Sequence, residues 1–153
     1  MNLNQQQGIL DEVQDVPTAL KEVKMAPRNI FEAVLIRTGM SEPKRKILYL
    51  KNTKLSTAHQ LTLIVDDMTL KNHRTDTVDG TMQMIYENTY LMATYVATAI
   101  QNENKPAPGY LIQTIADEFT NEELKLTLTE VYRRLHVEDF MHAAALTQSL
   151  QLL

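Results

Sequence analysis

The segment from Thr77 to Asn102 constrains this chain more than any other, because it carries apolar side chains at helical spacing along its whole length. Val78, Met82, Ile85, Met92, Val96 and Ile100 fall down one side, while Met84, Leu91, Tyr95 and Ala99 partly cover another. A helix that is apolar on more than one face needs neighbours on more than one side. The spacing therefore predicts a long central helix around which the remaining elements pack. Four glycines and five prolines in 153 residues leave room for such helices and are few for an all-β chain full of tight turns.

The flanking segments read as shorter elements. Residues 1–27 mix Asn, Gln, Asp and Lys with scattered apolar residues, Leu20 and Val23 among them, and Pro17 interrupts any single helix. A flexible or loosely helical N-terminal arm is expected there. Ile30, Phe31, Val34 and Leu35 share one face of a short helix that Gly39 is placed to stop. Lys44 to Lys51 is the best strand candidate. Ser56 is a candidate cap for a helix to about Met68, with Leu61, Ile64, Val65 and Met68 as its stripe, and Asp76 is a candidate cap for the long helix.

Beyond the loop Asn102–Gly109, a helix over Tyr110–Phe119 is followed by Thr120-Asn121-Glu122-Glu123, the pattern of a capping box. It opens a helix to about Leu135 with Leu124, Leu128 and Val131 inward. A last helix, Val137–Leu150, is expected to bury Val137, Phe140, Ala144 and Leu150. The fold class is therefore mainly α: a single helical domain over 28–153 of about five to six helices, with at most one small strand or hairpin near 44–52.

Composition narrows function by exclusion. A chain of 153 residues buries roughly two-thirds of its unfolded surface, enough for a core without staples. With no cysteine there is no disulfide framework, thiolate metal site or thiol nucleophile. The N-terminus has neither the basic start nor the apolar core of a secretion signal, so no export and a cytoplasmic location are expected. The most apolar stretch, Leu91–Ile100, is about half the length of a membrane span. A net charge of −4 and a pI near 5.5 disfavour nucleic acid.

No residue set marks a catalytic, cofactor or metal site. His59, His73, His136 and His142 include no i, i+4 pair, and Asp66 and Asp67 diverge by about 100° as helical neighbours. No nucleophile elbow, phosphate loop, dinucleotide fingerprint or zincin helix is present. A helix-turn-helix frame over Ile112–Leu135 would aim Glu122 and Glu123 at phosphates, which opposes docking. The run Lys44, Arg45, Lys46, Lys51 and Lys54 contains no acidic residue. Such lysines blunt an edge strand against aggregation, and a contact to an acidic protein is the other reading.

The order of features from Lys46 to Leu150 resembles the tail assembly chaperones of long-tailed bacteriophages and prophages. The matching pieces are a strand running into KNTKLSTAHQLTLIVDDM and the stretch from NTYLMATYVATAIQNENKPAPGY through TNEELKLTLTEVYRRLHVEDFMHAAALTQSL. Leu55 to Leu61 lacks the glycine that many relatives carry near that helix entry. The resemblance implies a non-catalytic protein that binds the helical tape-measure protein during tail assembly, with that protein, the tail-tube protein or another copy of itself as partner. Met82 and Met84 would supply an adaptable apolar surface, with Lys51 and Lys54 as charged contacts. The competing reading is an unrelated small helical adaptor or regulatory protein.

Overall fold

A computed structural model describes residues 16–68 and 77–150. The elements run β1 (Thr18–Lys24), α1 (Ile30–Arg37), β2 (Arg45–Leu50), α2 (Leu55–Asp66), α3 (Val78–Gln101), α4 (Gly109–Glu118), α5 (Asn121–Arg134) and α6 (Val137–Leu150). The architecture is mostly helical, with one two-stranded antiparallel sheet. The candidate cap Asp76 and His73 lie outside the described residues.

The long helix forms where the apolar period placed it. Thr77 caps it, its hydroxyl accepting the Gly80 amide at 3.1 Å, and Asn102 closes it in the left-handed conformation at φ 50°. Around its C-terminal half the core falls into two groups. Val23, Met25, Leu48, Val96, Ala97, Leu111, Ile112 and Ile115 join the sheet to α3 and α4. Leu50, Leu61, Ala99 and Val131 join β2, α2, α3 and α5. Alanines at 93, 97 and 99 let neighbouring elements approach the α3 backbone closely.

The arm expected over residues 1–27 is corrected for its last part: Thr18–Lys24 is β1, paired with β2. The register sets Thr18 opposite Leu50, Val23 opposite Lys46 and Lys24 opposite Arg45, with a bulge between Ala19 and Lys21. The bulge explains the misreading. It breaks the alternation, so that Leu20 and Val23, three residues apart as on a helix, both pack on the core. Residues 1–15 lie outside the described residues.

Two further corrections concern helix ends. The N-cap of α2 is Lys54, with no side-chain cap, and Ser56 sits inside the first turn. The Lys54 amide is instead taken by the Asn102 side chain at 3.0 Å, whose amide nitrogen donates to the Asn52 carbonyl at 2.8 Å. A tertiary contact thus replaces the local cap. Val137 is exposed on α6 and not buried, Ala144 is half-buried, and the side chains of Phe140 and Leu150 are outside the description.

Other local signals are met as written. Gly39 ends α1 at φ 74°, with its amide donating to Ile36 and that of Met40 to Leu35, the two bonds of a Schellman closure. The Thr120 capping box is present in both directions. Lys21 from β1 adds to it, donating to Glu123 at 2.8 Å and lying 5.6 Å over the Phe119 ring. Hydrogen bonds from Lys21 first, then from the Thr120 backbone, lower the Glu123 carboxyl to about 2.

Arg134 is the one buried charge in the described core, and it ties distant segments together. Its guanidinium donates to Glu130 at 2.9 Å, to Asn52 at 3.1 Å, to the Val16 carbonyl at 2.9 Å and to the Thr18 hydroxyl. Its own carbonyl accepts the Thr53 amide at 3.1 Å. Glu130 is held at about 2 by hydrogen bonds from Arg133 first, then Arg134 and Thr18. Five donors in a rigid fork suit arginine to this junction of β1, the β2–α2 loop and α5.

Candidate protein-docking surface

The apolar stripe of α3 does not stop where its packing partners do. Ala93 and Val96 are in the core, whereas Met92 is half-buried, Ile85 is 49 % exposed, Met82 61 % and Val78 74 %. Tyr86 and Tyr90, on the adjoining side of the helix, are 85 % and 62 % exposed. Together Val78, Met82, Ile85, Tyr86 and Tyr90 present on the order of 600 Å² of exposed surface, close to one partner's share of a standard interface. Contiguous exposure on this scale marks an interaction site far more often than scattered single residues do.

Where the stripe meets the body it enters a groove of about 320 Å³. Ile85, Thr89 and Met92 of α3 form one wall, and Ile115, Phe119 and Leu124 form the other. Asn88 is buried in its lining. The lining is mostly apolar, suited to the apolar face of a helix.

A second groove, of about 570 Å³, lies along α2, where Leu55, Ala58, Thr62 and Val65 face Tyr95, Leu135 and Val137. Burial raises the Tyr95 hydroxyl above its ordinary pKa. The Thr53 hydroxyl, in the lining, is buried and has no hydrogen-bond partner among the described residues. A third apolar face belongs to α1, where Ile30 is 85 % and Phe31 73 % exposed.

The residues singled out by sequence do not form one site. Met82 is on the exposed stripe; Met84 is on α3, but its side chain is outside the description. Lys51 and Lys54 lie at the opposite end of the helix, in the loop anchored by Asn102. That anchor is twenty residues beyond Met82, or about 30 Å at the helical rise. The α1 face and both grooves were missed. The Ile30, Phe31, Val34 spacing was legible, but its exposure was not, because periodicity reports a face and not what covers it.

Among the described residues no group of three His, Asp or Glu side chains is placed to hold a metal ion, and no helix is long and apolar enough to cross a membrane. Comparison with protein-family models, with curated proteins and with solved structures found no match.

Proposed function

We propose that this protein is a non-catalytic binding factor that holds an amphipathic helical segment of another protein against the exposed half of α3, acting as an assembly chaperone of the phage-tail type. The observation that carries the reading is the continuation of one apolar stripe from the core, through the groove at Met92, to the open surface at Met82 and Val78. A long helical client such as a tape-measure protein exposes matching stripes before assembly, and covering them keeps it soluble. Methionine side chains adapt to varied apolar ridges, which suits a client presenting many similar sites.

The test is co-expression with a helical tape-measure protein of a long-tailed phage. The expected outcome is a soluble complex on size exclusion, lost when Met82→Asp and Ile85→Asp are combined and retained when Lys51→Ala and Lys54→Ala are combined. Affinity should fall little between low and moderate salt, and binding should carry a negative heat-capacity change. A client that stays equally insoluble with and without the chain would overturn the assembly role and leave a helical adaptor of another kind.

A further inference from the structure

We propose that the open edge of β2 receives an extended, acidic segment of a protein partner as a third strand of the sheet. Among the described residues the sheet has two strands, so β2 has one paired side and one side with no described strand on it. The Met25 amide donates to the Lys44 carbonyl at 2.8 Å, which sets the phase of the ladder. With Lys24 opposite Arg45, the amide and carbonyl groups of Arg45, Ile47 and Tyr49 turn away from β1. No described residue takes them up, and Ile47 and Tyr49 are 44 % and 46 % exposed.

The side chains indicate what the added strand carries. On the outer face the cross-strand rows are Lys24 with Arg45, Glu22 with Ile47, and Ala19 with Tyr49. The first sets two cations side by side at a position without ladder hydrogen bonds, where side chains approach most closely. A carboxylate beside Arg45 on a third strand would relieve that repulsion. Apolar residues two and four positions along would extend the rows at Ile47 and Tyr49. Lys46 and Lys51 add to the positive edge, and neither they nor Arg45 form an ion pair with a described residue.

The same charges argue against a second copy of this chain as the occupant. From Lys44 to Lys51 there is no acidic residue. Edge-to-edge pairing of two copies would therefore bring together two strands whose only charges are positive, the arrangement by which natural sheets avoid self-association. Main-chain bonds would supply the attraction for an acidic strand, and the charge pattern would select it.

The experiment uses the full chain and a capped synthetic peptide that carries Glu at the position beside Arg45 and Val two and four positions along, with Thr between them. Amide exchange at Ile47 and Tyr49 should slow at least tenfold at saturation, while the inward amides of β2 change little. Arg45→Glu combined with Lys46→Glu should weaken binding at least tenfold without altering the circular dichroism spectrum. Ile47→Pro removes an outward donor that the ladder does not use and should also abolish binding; if that variant fails to fold, the charge reversal carries the test. Unchanged exchange at these amides, perturbation of α3 instead, or equal binding of a Lys-containing peptide of the same pattern would each overturn the proposal. So would protection that appears with protein concentration alone, or displacement of the peptide by a single-stranded oligonucleotide.

Discussion

The two halves of α3 share a composition and a period, yet one is core and the other is surface. From Ala93 to Ala99 the helix is enclosed by the sheet, α2, α4 and α5. From Val78 to Tyr90 the same kinds of side chain meet solvent. The difference lies in the neighbours: sheet, α2 and α4 all converge on the C-terminal half, where Asn102 and Arg134 anchor the loop that positions them. A hydrophobic stripe is thus an offer of burial, and the rest of the fold accepts only part of it.

The sharpest way to break this comparison is to place the same charge in each half. Val96→Asp should abolish cooperative folding, since an uncompensated carboxylate in a packed core exceeds the stability of a small domain. Met82→Asp should move the urea midpoint by no more than about 0.5 kcal/mol in free energy. Equal losses from the two variants would mean that the outer half is covered in solution.

The anchor itself predicts the next effect. Arg134→Ala should cost about 3 kcal/mol in chemical denaturation, because it removes a buried cation together with its bonds to Glu130, Asn52, the Val16 carbonyl and Thr18. Arg134→Lys should restore only part, as one ammonium cannot reproduce the fork. A loss below about 1 kcal/mol would mean that the loop is held chiefly by Asn102.

Acid should weaken the same end of the molecule. Both Glu123 and Glu130 have folded-state values near 2, below the ordinary glutamate value of 4.5. Their contribution is complete above the unfolded value and is lost as pH falls from about 4.5 toward 2. Glu130→Gln should flatten that part of the stability profile; an unchanged slope would assign acid sensitivity to other carboxylates. The smallest effect is at the cap, where Thr120→Ala should cost about 1 kcal/mol by urea denaturation. No measurable change would mean that Lys21 and Glu123 hold the turn without the hydroxyl.

Local and periodic signals were legible in the sequence, and long-range ones were not. Thr120 and Glu123 form their capping box because both bonds lie within four residues, and α3 follows from a period repeated along its length. The strand at Lys44–Lys51 was legible, but its partner was not, because the bulge near Leu20 disguises β1 as a helical arm. Ser56 read as a cap because nothing local foretells that Asn102 takes the Lys54 amide. At the candidate surface Met82 was identified by residue type, while the groove at Met92 needed Phe119 and Leu124 brought beside it.

The contacts of Arg134 also bear on how the chain is made. Its bond to the Val16 carbonyl spans 118 residues, and Lys21 and Ala26 wait for Glu123 and Thr114. At roughly 5–20 residues per second of synthesis, the start of β1 is made some 6–24 seconds before the guanidinium that secures it has been added. During that interval Val23 and Leu48 lack α3 and α4, and a lone hairpin of this size is marginal in water. The last third of the chain therefore sets when the first strand becomes safe from other partners, so a ribosome stalled before Arg134 would display an unsecured basic strand.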